Sequence, residues 1–418
     1  MLGTLLDKLG GLLPRSFIVS SFFPVLIFAT LNGAMLYRFS PSFKRVFEAY
    51  FALDASKQAT YGVGILIAIS FVAYIFSTLN LYLRELLEGK HFAGFTTLQT
   101  LMVAEKQRQL DALKDSLERS KRQHFLLQKR YPEWFKRLED AYRAANKPNV
   151  DNKYSAQSPV AIMISKLKTE RTRNVLITAQ RFEDAVSAFE QETKSYPTVA
   201  EGSTPGDREN RRKLDEDHTN LRFLIYYSQA IAQNNYVEVF NQIEFQYSRY
   251  KVNATSMGNI AESVRSYARS RYEINLDSFW SRLQKSIQSD EKFYATLIDA
   301  KTQLDFLVSL FWLTAVFTII WLAVLLYGRT SWLAFVLVGV IGAGLAYLWY
   351  AIAKQNYLAF ADILRTSIDL FRFDLLEGLH VRLPSSSDHE RKTWGQLNYL
   401  IGYGDPTETV RYLHQDNP

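Results

Sequence analysis

The sequence predicts an all-α fold: four transmembrane helices, arranged two and two, with a large helical bundle inserted between spans two and three. Three observations carry this. Four apolar runs, Ser16–Tyr37, Ala59–Leu83, Phe306–Tyr327 and Trp332–Ala353, each match the roughly 20 residues that a helix needs to cross a bilayer's hydrocarbon core. Between the second and third runs the chain turns charged, and its apolar residues recur at spacings near 3.6, the period of a helix. Period-two alternation, the mark of a half-buried strand, is nearly absent.

The elements follow in order. In residues 1–15, Leu2, Leu5, Leu6, Leu9, Leu12 and Leu13 form a helical stripe broken by Gly10, Gly11 and Pro14. That fits an interfacial amphipathic segment, or a lead-in packed on another subunit. It lacks the basic start and small-x-small site of a cleaved signal peptide. Residues 16–88 hold spans one and two, and Pro24 kinks the first or marks its entry. Residues 89–304 form the polar domain, 305–353 hold spans three and four, and 354–418 form a helical tail. Arg84, Lys90, Lys301, Lys354 and Arg365 flank the spans on the side of the polar domain, whereas the loop between spans three and four has only Arg329. The loop between spans one and two opposes this with Arg38, Lys44, Arg45 and Lys57. Taken together, these charges place both termini and the polar domain in the cytosol of a bacterium, with the spans in its inner (plasma) membrane.

No span carries a mid-membrane Asp, Glu, Lys or Arg, which argues against an ion-coupled transporter. Milder polar groups are present, among them Asn32, Asn80, Ser309, Thr314 and Thr318. Such groups line a wet pore between subunits or bond within and between helices. Gly339, Gly342, Ala343 and Ala346 place small residues where another helix can approach span four closely.

Within the polar domain, Leu98, Leu101, Met102, Leu110, Leu113 and Leu117 mark a helix. Tyr131-Pro132-Glu133-Trp134 predicts a break and a new start. A polar loop follows at Asn146–Pro159, then a helix over 160–196, a Thr/Gly/Ser/Pro stretch at Pro197–Asp207, and further helices over 208–250. One basic cluster is interleaved with aromatics: Arg122, Lys129, Arg130, Lys136 and Arg137 beside Tyr131 and Trp134. Arg and Lys pair with phosphates and bases stack on aromatic rings, so this cluster suits a nucleotide or single-stranded DNA. It equally suits anionic lipid, or is a solvated helix face balanced by Glu133, Glu139 and Asp140.

Composition removes other chemistries. The chain has 418 residues, a net charge of +7 and no cysteine, so disulfides, iron–sulfur clusters and thiolate metal sites are excluded. No Walker loop, nucleophile elbow or His-Glu-x-x-His helix occurs, and the six histidines are scattered. The reading is of a non-enzyme with no cofactor. Ser385, Ser386 and Ser387 offer N-cap oxygens to a helix that starts near Asp388 and Glu390.

Two segments resemble a widespread set of uncharacterised bacterial multi-span membrane proteins. One is Thr255-Ser256-Met257-Gly258-Asn259-Ile260, then Arg271-Tyr272 and Trp280-Ser281-Arg282-Leu283. The other is Asp369-x-x-Arg372, then Pro384, Glu390-Arg391 and Trp394. The resemblance implies a shared architecture; separately, Asp369 and Arg372 stand one helical turn apart, the spacing at which an ion pair is expected. In layout and charge the chain also resembles the membrane effectors of anti-phage systems of the Hailong type. That likeness implies a homo-oligomer that conducts ions, and a partner nucleotidyltransferase whose DNA oligomer controls it. A non-conducting scaffold or sensor that recruits a cytosolic partner fits the same layout.

Overall fold

The structure, a computed structural model, describes residues 14–91, 96–145, 159–172, 178–194, 205–328 and 331–402. The leucine stripe, the loop over 146–158, most of the stretch over 197–207, Arg329 and the end of the tail lie outside them. Every regular element among the described residues is helical, and four helices are long and apolar enough to cross a membrane. This is a membrane protein by those helices.

The first apolar helix, α1 (Arg15–Phe39), contains a π-helical turn at Ile18–Phe22 just before Pro24. Pro24 has no N–H to offer the carbonyl of Ser20, four residues earlier. The Ser309 hydroxyl lies 2.9 Å from that carbonyl and 2.8 Å from the Asp305 carbonyl of its own helix, and its one proton is shared between them. A short helix, α2 (Pro41–Phe51), follows, capped by Ser40, whose hydroxyl accepts from the Phe43 amide. The second apolar helix, α3 (Ala55–Glu88), starts at the Asp54 cap and stops at Gly89, whose φ of 80° suits a residue without Cβ.

Next come α4 (Thr96–Ala145), α5 (Pro159–Thr172), α6 (Ala179–Lys194) and α7 (Pro205–Gln246). Two expectations change here. Pro132 lies inside α4, not at a break. A mid-helix proline costs about 3 kcal/mol, and the burial of Leu127, Trp134 and Leu138 around it offsets that cost. The helix expected over 160–196 is two helices, with non-helical Thr178 before the second.

The chain continues through α8 (Ser256–Tyr272), α9 (Leu276–Ile287), α10 (Glu291–Tyr327), α11 (Trp332–Gly378) and α12 (Ser387–Leu397). Ser386 caps α12 through the His389 amide at 3.2 Å. Hydropathy marks only parts of α10 and α11. Each continues without a break into polar sequence, and the 47 residues of α11 span about 70 Å at 1.5 Å per residue.

Two compact units emerge: Met1–Arg108 with Glu244–Pro418, and Gln109–Ile243. The flanks of the polar region therefore belong with the four apolar helices. In the first unit, Phe22, Val25, Ala73 and Leu313 pack among the apolar helices. A larger core joins Leu87, Met257, Val264, Phe279, Leu304, Tyr357, Ile368 and Trp394. The second unit closes on its own core, with Leu138, Phe182, Phe189, Leu214 and Leu221 fully buried.

Candidate functional site at the helix junction

Where α3 and α10 leave their apolar stretches, the first unit gathers helix ends onto one another. Glu88, in the last turn of α3, is 4% exposed. Its Oε1 accepts from the Tyr357 hydroxyl of α11 at 2.6 Å, and Lys90 Nζ lies 3.0 Å from Oε2. A buried carboxylate needs such partners, because an unpaired one costs several kcal/mol. Trp312 of α10 donates its indole N–H to the Leu83 carbonyl at 3.0 Å. Asp305 pairs with Lys301 at 2.5 Å, and its carbonyl accepts from Asn80 at 3.4 Å.

The Gly-Asn turn at Gly258-Asn259 fits against this joint. A Cβ on Gly258 would lie 2.1 Å from the Glu88 carbonyl oxygen, so only glycine lets α8 come so close. Asn259 then saturates the approach loop. Its Oδ1 accepts from the Asn253 amide, and its Nδ2 donates to the carbonyls of Asn253 and Thr255.

Arg365 joins three helices. It is 3% exposed and forms no ion pair among the described residues. Its Nη2 donates to Ser263 Oγ of α8 at 2.7 Å and to the Phe245 carbonyl, in the last turn of α7, at 3.2 Å. Its guanidinium lies 4.4 Å from the Phe245 ring centre. A cation is favoured at a helix C-terminus and over an aromatic face.

The two segments behind the family resemblance meet here, with different pairing from that expected. Asp369 does not pair with the Arg372 side chain. It accepts from the hydroxyls of Tyr267 and Tyr272, both at 2.7 Å. Burial, then the bond to this carboxylate, pushes both phenols above their ordinary values and keeps them donors. Arg372 instead reaches Glu390 of α12 at 2.7 Å and its own helix at the Asp369 carbonyl. Arg391 pairs with Glu273 at 2.9 Å, and the fully buried Trp394 ring meets Phe279 edge-on. Chemically, the junction is a set of direct bonds that tie the end of α3 to the interiors of α10 and α11, and α11 to α7, α8 and α12. Sequence reasoning did not single out Glu88 or Tyr357, and it read Arg365 only as a charge flanking a span. Their signal is the four-residue spacing of Asn80, Arg84 and Glu88 at one helix end, and of Tyr357, Ala361 and Arg365 in another.

Among the apolar helices, Thr314, Thr318 and Gly342 share one groove between α1, α10 and α11. The Thr318 hydroxyl donates to the Thr314 carbonyl at 2.7 Å, and a Cβ on Gly342 would lie 2.1 Å from Thr318 Oγ1. Gly339 and Ala346 are half-buried and Ala343 is exposed.

In the second unit, the residues of the basic cluster have different fates. Trp134 is 1% exposed and donates its indole N–H to Glu183 at 2.7 Å, so neither ring face is open to a base. Arg137 forks onto Glu183 at 2.5 Å and Glu190 at 2.7 Å and also reaches Ser187. Arg130 is exposed and pairs with Glu133 at 3.1 Å, while Tyr131 is half-buried against Phe135. Arg122, Lys129 and Lys136 are exposed and form no ion pair among the described residues. They repeat every seven residues, about 10 Å apart along one face of α4. No family model, no curated protein and no solved structure matches this chain.

Proposed function

We propose that the protein is a homo-oligomeric effector of a bacterial inner membrane, with its termini and polar helices in the cytosol. Copies surround an ion-conducting pore, and the polar helices set whether it is open. One observation carries this reading. Of the most apolar stretch of α3 only 6% is buried, and of that of α11 0%, while the same α11 continues unbroken into the buried junction. Helices so bare within one copy have faces for lipid and for further copies. A rod rooted in a polar core carries a change in that core to those faces.

In this reading an anionic nucleotide or single-stranded DNA oligomer lies along Arg122, Lys129, Arg130 and Lys136, with Tyr131 beside them. The likeness to anti-phage effectors supplies that ligand class and a partner nucleotidyltransferase as its source. The ligand controls opening only through a difference in affinity between the two states; a 100-fold difference corresponds to about 2.7 kcal/mol.

The test is conductance of the purified protein in planar bilayers, with and without an added oligodeoxynucleotide. Unitary currents that the oligonucleotide alters are expected. A folded oligomer that stays silent under both conditions overturns the pore and leaves the non-conducting scaffold.

A further inference from the structure

The first unit holds a cavity of about 350 Å³ beside the junction, walled by α3, α8, α9, α10 and α11. Its lining is sorted by chemistry. Arg84, Lys90, Arg265 and Lys301 supply four positive charges, against Glu85, Glu88 and Asp277. Asp305 and Glu262, outside the lining, also pair with Arg84, Lys301 and Arg265, so each cation has a carboxylate at ion-pair range. The apolar part includes Leu81 and Leu297, with the half-buried Trp280 ring at the wall. Leu81 is 59% exposed and also belongs to the bare apolar side of α3, which makes the cavity wall continuous with that side.

Arg84 is an unfinished group in this lining. Its Nε is buried and has no hydrogen-bond partner. The nearest carboxylates, Glu88 at 3.6 Å and Asp305 at 3.8 Å, pair with it only at ion-pair range. A buried guanidinium N–H without an acceptor costs about 1–3 kcal/mol, and a ligand oxygen removes that cost.

We propose that this cavity binds the phosphodiester headgroup of an anionic membrane lipid. The phosphate faces Arg84 and Arg265, and an acyl chain follows Leu81 along α3. The position at the end of an apolar run is where the phosphates of a bilayer leaflet lie, and a basic pocket there suits a lipid head. The inference rests on the reading that α3 and α10 cross a bilayer. It does not depend on conductance or on the oligonucleotide.

Native mass spectrometry of the full-length protein tests it, with phosphatidylglycerol and phosphatidylcholine supplied at equal concentration. Selective retention of one phosphatidylglycerol per chain is expected, and Arg84→Gln should weaken it about tenfold, the loss of one charge-assisted bond. Lys301→Gln, at an exposed position, provides a second variant if Arg84→Gln fails to fold, and should also lower retention. Equal retention of both lipids, or retention unchanged in the folded variants, overturns the site. Displacement by free glycerophosphate at similar concentration reassigns it to a soluble phosphodiester and overturns the lipid. Carbonate extraction of cell membranes reports separately on the membrane reading. A protein that stays in the pellet yet selects no lipid sinks the site alone.

Discussion

Gly258 leaves no room for a side chain, because a methyl group there meets backbone, which cannot rotate away. Gly258→Ala should destabilise the first unit by about 1–3 kcal/mol, read as a lower melting temperature in detergent. Gly344→Ala is the contrast: nothing lies within 4 Å, so helix propensity alone acts and the melt should hold or rise. The second unit has a pH dependence whose sign follows from two groups. Burial pushes His218 below the ordinary histidine value, although Glu139 lies 3.5 Å away. The bond from Arg137, then that from Trp134, pushes Glu183 below the ordinary carboxylate value. Both folded values are lowered, so both contributions are complete above the ordinary values and disappear as pH falls through the lowered ones. Protection factors in 179–194 and 214–228, with exchange rates corrected for the intrinsic pH dependence of the amide, should therefore fall relative to neutral pH, first below about pH 6.5 and again below about pH 4.3. His218→Asn should remove the first step and keep the second. At this scale the sequence was only partly legible. Trp134 and Arg137 sit in a run of basic and aromatic residues, and nothing local says which way they face. The answer lies in Glu183, Ser187 and Glu190, which share a face of α6 close to the buried Phe182, Val186 and Phe189.

Among the elements, α1 shows how a helix keeps a proline at membrane depth. Ser309 replaces the donor that Pro24 lacks, and a double-mutant cycle isolates the exchange. Ser309→Ala should cost about 1–3 kcal/mol, since the Ser20 carbonyl then loses its side-chain donor in buried surroundings. In the Pro24→Ala background the new N–H serves that carbonyl, and the same Ser309 change should cost less than half as much, measured by thermal unfolding in detergent. Equal costs in both backgrounds would show that the hydroxyl does not stand in for the missing N–H. Hydropathy and period located the four apolar helices and the helical character of the rest. They did not reveal how far α10 and α11 extend, because hydropathy reports the surroundings of a helix and not its continuity. The sign of continuity was the absence of proline between Glu291 and Leu383. Pro132 gave the opposite error, where packing on both sides holds a helix through a residue that usually ends one.

For the whole molecule, the absence of cysteine makes sidedness directly measurable. Single cysteines at Ser40, before α2, and at Ser387, at the start of α12, should label from opposite faces. A membrane-impermeant maleimide should reach Ser40→Cys in intact spheroplasts and Ser387→Cys only after permeabilisation. Labelling of both before permeabilisation overturns the cytosolic placement of the tail. The four apolar helices were legible at this scale because charge and hydropathy alternate in long blocks. The division into two units was not, because the flanks of the polar region pack with the apolar helices through contacts far apart in sequence. One consequence follows from the unbroken course of α11. Each residue along it adds about 100° of turn, so the azimuth of Ala343 is locked to that of Arg365 by nothing more than the number of peptide bonds between them. Insertions and deletions in that interval are thus changes of phase: a single extra residue would swing one end to a different side, while seven, nearly two full turns, would bring it almost back.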